Sequence, residues 1–154
     1  MTFPREKHWP PIADLKLYFL APPGKERLLD ESGSGSLSLE GVDGTEHLAL
    51  GEGRIDIRLS MWADKKHGVM LIWIKRGGGH QEAYTSKGDM KRLREYVTTR
   101  HGDKMPIGLY IPFKEAWIAV KDFIESEGGR SKRIEWVENN TLPKDTFPEP
   151  APPV

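Results

Sequence analysis

Two segments near the middle of the chain constrain its fold more than any other feature. The first, "RIDIRLSMW" at residues 54–62, alternates apolar side chains with charged or polar ones. This two-residue period is typical of a strand with one face on a core and one in water. The second, "VMLIWIKR" at residues 69–76, is apolar on both faces and predicts a central strand that is covered on both sides. A turn at "ADKKHG" separates them.

Shorter patterns predict the other strands. Leu15, Leu17 and Phe19 alternate with other side chains, which predicts a strand at residues 14–21. Asp43-Gly44 is a turn dipeptide between two short leucine alternations, and it predicts a hairpin. The leucines of that hairpin are Leu37, Leu39, Leu48 and Leu50, and further strands are predicted at residues 80–86, 106–112 and 133–138.

Two segments have helical periodicity. Residues 89–99 place Met90, Leu93 and Val97 on one face, with Asp89 as the N-cap. The segment after Pro112 ends at Gly128-Gly129 and carries one apolar stripe: Ala116, Trp117, Val120, Phe123 and Ile124. The order of elements predicts an α+β fold with a mostly antiparallel sheet and two helices packed on one face. One domain is expected at residues 1–142, and the five prolines from Pro143 onward predict a disordered tail at 143–154.

No pattern in the sequence points to catalysis, a metal or a cofactor. Cysteine is absent, so disulfides, thiolate metal sites and cysteine nucleophiles are excluded. The five histidines are scattered without metal-binding spacing, and no GxSxG motif is present. The longest apolar run is about six residues, far short of a membrane span. The start of the chain lacks the charged and apolar pattern of a signal peptide, so a cytoplasmic location is expected.

Charge is distributed unevenly, although the formal net charge is zero. Residues 65–104 hold ten bases and four acids, a formal charge of +6. Residues 30–53 hold six acids and no Lys or Arg, a formal charge of −6. Such an asymmetry can steer a charged partner, or the two segments can face each other in the fold. The six acids are Asp30, Glu31, Glu40, Asp43, Glu46 and Glu52.

The C-terminal part of the chain resembles the Imm1 family of bacterial immunity proteins. The matching elements are a short strand ending at Pro112, a helix with Ala116 and Phe123, Gly128, and a strand reading Ile134-Glu135-Trp136. Upstream, "HGVMLIWIKRGGGHQEAYTSKG" is similar to the glycine turn and Y-x-S-x-G element of that family, with Tyr84, Ser86 and Gly88 as the matching positions. The resemblance covers residues 54–138. Ser131-Lys132-Arg133 stands where the family often has a proline.

The resemblance implies an immunity protein of a polymorphic toxin system, which is not an enzyme. It would bind a cognate toxin, a nuclease or a nucleic-acid deaminase, that is encoded by a neighbouring gene. Because such a toxin needs a basic cleft, the six acids are its expected contacts, together with Trp62 as an exposed anchor. Two alternatives remain open: a small enzyme whose site assembles in three dimensions, and a nucleic-acid or scaffold module that uses Lys91, Arg92 and Arg94.

Overall fold

A seven-stranded sheet forms the centre of the computed structural model, which describes residues 2–4 and 10–148. The strands of this sheet are β1 (Thr2–Pro4), β2 (Ser34–Val42), β3 (Ile55–Asp64), β4 (Gly68–Gly77), β5 (His80–Ser86), β8 (Tyr110–Ile111) and β9 (Trp136–Glu138). The strand order is β1-β2-β3-β4-β5-β9, with β8 beside β4. The pairing of β1 with β2 is parallel, and the other pairings are antiparallel.

The β3–β4 hairpin confirms both of the strongest sequence predictions. Leu59 lies opposite Trp73, and the register is unbroken from Asp56 to Asp64. The alternating Ile55, Ile57, Leu59 and Met61 of β3 are buried, while the polar residues between them are not. β4 is buried from Gly68 to Ile74 and has neighbours on both edges. The α+β class with an antiparallel sheet is therefore confirmed.

Three helices cover one face of the sheet, where two were expected. They are α1 (Ile12–Phe19), α2 (Leu28–Ser32) and α3 (Phe113–Glu125). The predicted stripe of α3 is buried, apart from the partly buried Ile124, and its Trp117 ring lies 5.8 Å from the Phe19 ring. At the end of α3, the Trp73 indole donates a hydrogen bond of 2.7 Å to the Gly128 carbonyl.

The opposite face is covered only in part, by residues from the 90–110 and 142–147 segments. Met70, Ile72 and Ile74 of β4 pack there against Met105, Leu109 and Tyr110. A second small sheet lies in this layer and consists of β6 (Tyr96–Thr98) and β7 (Lys104–Pro106).

The predicted helix at residues 89–99 is wrong. Asp89 does cap a turn by accepting from the Lys91 N–H, but this is a 3-10 turn of three residues, Met90–Arg92. A Cβ on Gly108 would lie 2.6 Å from the Asp89 carbonyl oxygen, so this glycine lets another backbone segment approach. The Glu95 carbonyl then accepts from Ile107, and residues 96–98 pair across to 104–106. The backbone thus bonds across a ladder instead of along a helix.

Two predicted strands are also wrong. Residues 12–19 form α1 because Leu15 and Phe19, four residues apart, are both buried on the core, whereas Leu17 between them is 43% exposed. The second half of the predicted hairpin, around Leu48 and Leu50, is a series of turns with no strand.

The predicted C-terminal strand is present only in part. β9 is present but spans only Trp136–Glu138 of the predicted 133–138. The start of the predicted tail packs on the domain: Thr146 is 4% exposed, and Phe147 contacts the core of the partly covered face. Residues 149–154 lie outside the described part of the chain.

Candidate functional site

Residues 43–53, which form the connection from β2 to β3 except for its last residue, Arg54, stand out for their charge and their construction. They contain Asp43, Glu46 and Glu52 and no Lys or Arg, and Glu40 precedes them near the end of β2. We call residues 43–53 the acidic loop. Successive backbone hydrogen bonds fold it into turns: Thr45 to Val42, Leu48 to Thr45 and Glu52 to Ala49.

The hydroxyl of Thr45 joins the two ends of the acidic loop. It donates to the Val42 carbonyl at 2.7 Å and accepts from the Ile55 N–H at 2.9 Å. Val42 is the last residue of β2 and Ile55 the first of β3. One side chain therefore links both strand ends and fixes where the loop begins and ends.

Asp56 pins the base of the acidic loop from the β3 side. Its Oδ1 accepts from the Gly41 N–H and from Arg54 Nε, both at 3.0 Å, and its Oδ2 accepts from Arg54 Nη2 at 3.0 Å. The hydrogen bond to Asp56 raises the pKa of the Arg54 guanidinium. At Gly41, where φ is +69°, an added Cβ would lie 2.3 Å from Glu46 Cα, so the chain folds back on itself at a position that only glycine fits.

The outer part of the acidic loop presents an apolar side chain between two exposed carboxylates. Leu50 is 73% exposed, the highest value among the large hydrophobic residues that the structure describes. Glu46 and Glu52 are exposed as well, and no basic side chain of residues 10–148 forms an ion pair with either. An exposed leucine beside unpaired charges is a composition suited to contact with another protein.

Asp43 is the one member of the acidic loop with an ion-pair partner in the described part of the chain. Lys75 Nζ lies 2.8 Å from Asp43 Oδ2, and its hydrogen bond and charge lower the pKa of that carboxyl. Within residues 10–148, this is also the only ion pair between the acidic segment 30–53 and the basic segment 65–104. The two segments therefore do not neutralise each other by direct contact.

Two grooves flank the acidic loop. One, of about 400 Å³, lies between the start of the loop and the end of α3, and Asp43, Glu46 and Glu127 line it. The other, of about 450 Å³, lies on the partly covered face of β2, β3 and β4, and we call it the sheet-face groove. Its lining includes Ser38, Glu40, Leu50, Arg54, Asp56, Arg58, Ile74 and Arg76.

The structure separates the seven residues predicted to bind a partner into two groups. Glu40, Asp43, Glu46 and Glu52 meet at the acidic loop, where β2 ends.

The other three lie near the start of β2. The length of β2, eight residue steps of extended chain, places that end roughly 27 Å from the acidic loop. Asp30 and Glu31 are in α2, and Trp62 is opposite Ser34 at the first residue of β2. The Asp30 side chain is 6% exposed and pairs with Arg27 at 3.2 Å, while Trp62 is half-buried against the core of the partly covered face. Neither has the exposure expected of a contact residue.

The basic residues at 91–94, the basis of the nucleic-acid alternative, do not lie on a helix. Arg92 pairs with Glu95 at 3.0 Å and Arg94 with Asp145 at 2.7 Å, and each pairing raises the pKa of the guanidinium.

In the described ranges, no three histidine, aspartate or glutamate side chains come together as a metal site. No helix of the described residues has the length and apolarity needed to cross a bilayer.

The sequence interpretation missed the residues that build this site. Thr45, Gly41 and Asp56 act through hydrogen bonds to residues that are distant in sequence. Arg54 and Arg58 were interpreted only as the solvent-exposed face of a strand.

Comparison of the chain with protein-family models, curated proteins and solved structures gives no match.

Proposed function

We propose that the chain is an immunity protein that binds a cognate bacterial toxin and neutralises it by direct contact through the acidic loop. The observation that carries the proposal is the exposed Leu50 between Glu46 and Glu52, which have no ion-pair partner among the described residues, on a loop whose two ends are joined by hydrogen bonds of Thr45. The toxin would be a nuclease or nucleic-acid deaminase, encoded by a neighbouring gene and met in the cytoplasm of the producing cell.

The acidic loop suits a basic partner for two physical reasons. Among the described residues only Asp43 of the loop has an ion-pair partner, Lys75, so binding a cationic surface breaks no ion pair at Glu46 or Glu52 there. The bonds of Thr45 and Asp56 also hold the loop in one shape before binding, which reduces the entropy lost on association. A toxin that cleaves or modifies nucleic acid has a cationic cleft for the phosphates, and an acidic loop could occupy that cleft.

The resemblance to Imm1 proteins gives the proposal its biological setting. Its C-terminal elements occur in the expected order: β8 ends before Pro112, α3 follows, Gly128 has a φ of +105°, and Trp136 begins β9. These elements build the core beneath the sheet, and Gly128 packs against Leu39 and Ile57 near the base of the acidic loop. The resemblance therefore concerns the scaffold, and the acidic loop supplies the expected specificity.

The proposal is tested by co-expressing the chain with the product of the adjacent gene. We expect the two proteins to co-purify at one-to-one stoichiometry and the toxicity of that product to disappear. A Glu46→Lys/Glu52→Lys double variant should restore toxicity, since it reverses two exposed charges at the proposed contact without removing any hydrogen bond or ion pair within the described chain.

A matched control reverses two exposed acids elsewhere. Glu135→Lys/Glu138→Lys changes the formal charge by the same amount on and beside β9, at the other edge of the sheet. This variant should protect as the wild type does. Equal loss of protection in both double variants would show that overall charge matters and the acidic loop does not, and no binding by the wild type would reject the proposal.

A further inference from the structure

The sheet-face groove carries a charge pattern opposite to that of the acidic loop beside it. Its lining holds three guanidinium groups, Arg54, Arg58 and Arg76, and two carboxylates, Glu40 and Asp56, a formal balance of 3 − 2 = +1. The two features share Leu50, which belongs to the loop and forms one wall of the groove. A partner that covers the loop therefore also covers the groove.

Arg58 is a guanidinium on the groove floor for which the described residues provide no carboxylate partner. It lies in the middle of β3, directly opposite Ser38 on β2 and Ile74 on β4. Neither neighbour is acidic, and Arg58 is exposed. In the described part of the chain, no carboxylate forms an ion pair with it.

The two carboxylates of the groove are directed elsewhere. Both oxygens of Asp56 already accept hydrogen bonds. Oδ1 accepts from the Gly41 N–H and from Arg54 Nε, and Oδ2 accepts from Arg54 Nη2. Glu40 is 60% exposed and lies 4.0 Å from Arg54. These contacts direct the two acids to Arg54, so no carboxylate of the described residues neutralises Arg58, and its charge can bind an external anion.

The walls of the groove leave room for an extended chain. Gly51, Gly53, Gly77 and Gly78 line it without side chains, and Arg58 on its floor is exposed. Leu50, which is 73% exposed, supplies apolar surface at the rim, and the largely buried Ile74 lies on the floor beside Arg58. An arginine in a concave site between apolar side chains is a frequent anchor in protein interfaces.

We propose that the sheet-face groove receives an extended acidic peptide segment, with a carboxylate on Arg58 and a neighbouring apolar side chain against Leu50 and Ile74. This inference rests on the proposed function only in assigning the segment to the same partner that covers the acidic loop. The two adjacent charge patterns would then fix the orientation of the partner, because a reversed approach places like charges together at both positions.

The test uses a short peptide as the probe and needs no toxin. An acetylated and amidated octapeptide, GSLEELSG, is titrated into the ¹⁵N-labelled full chain and compared with GSLKKLSG. We expect the acidic peptide to shift the amide signals of Gly51, Gly77 and Gly78 and the side-chain Nε–H signal of Arg58. Arg58→Gln should weaken this binding about three- to tenfold, as expected for the loss of one charged hydrogen-bonding group.

Arg100→Gln is the matched control, because Arg100 is exposed and its side chain lies against Gly33, just before the start of β2 and at the far end of that strand from the groove. It should bind the acidic peptide as the wild type does. The proposal is overturned if the lysine peptide causes the same shifts, if neither peptide shifts these signals at millimolar concentration, or if hexathymidylate binds the groove more tightly than the acidic peptide. A positive peptide titration with no co-purifying toxin would reject the proposed function and leave the groove assignment standing.

Discussion

Replacing Thr45 with valine should destabilise the protein through the base of the acidic loop. Valine keeps the shape of threonine but removes the hydroxyl that donates to Val42 and accepts from Ile55. Ile55 is 7% exposed, so its N–H group would lose its acceptor in a place that water barely reaches. The unsatisfied Ile55 N–H contributes most of the lost free energy of unfolding, and the lost hydrogen bond to the Val42 carbonyl adds to it.

The magnitude follows from these two contributions. A buried donor left without a partner costs about 1–3 kcal/mol, and one ordinary hydrogen bond adds about 1 kcal/mol. We therefore expect Thr45→Val to lower the free energy of unfolding by about 2–4 kcal/mol. With an m-value of about 2 kcal/mol/M for a domain of this size, the urea midpoint should fall by about 1–2 M.

Urea unfolding followed by tryptophan fluorescence and circular dichroism measures this shift. Thr141→Val is the matched control, because Thr141 is exposed and its hydroxyl donates one hydrogen bond, of 2.7 Å, to the Glu138 carbonyl. It should lower the unfolding free energy by less than about 0.5 kcal/mol. Equal midpoint shifts for the two variants would refute the reasoning that Thr45 locks the strand ends, and Thr45→Ser, which keeps the hydroxyl, should retain most of the stability.

Two further predictions concern α3. Phe123→Ala removes a ring that is 1% exposed and should lower the unfolding free energy by about 3–5 kcal/mol in denaturant titrations, whereas a negligible loss would reject its place in the core. Asp122 accepts hydrogen bonds from Arg133 and Ser131, and the bond from Arg133 is the main cause that lowers the pKa of its carboxyl in the folded state. Because this folded pKa lies below the unfolded value of about 3.9, the stabilisation is present above that pH and is lost as the pH falls through the folded pKa. Between about pH 5 and pH 2, the melting temperature of Asp122→Asn should therefore fall less than that of the wild type. Parallel plots of melting temperature against pH for the two proteins would contradict the lowered pKa of Asp122.

The elements that could be predicted from the sequence are mainly those with an unambiguous period. β3 and α3 each place several apolar residues on one face over eight or more positions, and only one secondary structure buries them. β4 has no such period, and its short β-branched apolar run between a turn and three glycines predicted the strand. Residues 12–19 were misassigned because Leu15 and Phe19 satisfy both the period of a strand and the i,i+4 spacing of a helix. The choice was decided by packing on α3, which local sequence does not encode.

The candidate site was predictable in charge but not in shape. Glu46 and Glu52 could be identified as part of an acidic segment, because charge is read directly from the residues. The links that place them depend on contacts across the fold: Thr45 bonds Ile55 ten residues away, and Gly41 bonds Asp56 fifteen residues away. Asp30 was grouped with them by sequence proximity, yet β2 carries it to the other end of the sheet.

The most direct test of the central claim is the salt dependence of the affinity between the chain and the product of the adjacent gene, measured by calorimetry for the wild type and for Glu46→Gln/Glu52→Gln. If the acidic loop contacts a basic cleft, the wild type should bind at one-to-one stoichiometry and lose affinity as salt rises. The neutralised variant should bind about tenfold or more weakly at low salt, with a shallower salt dependence. Identical affinities and identical salt dependence for the two proteins would contradict the account.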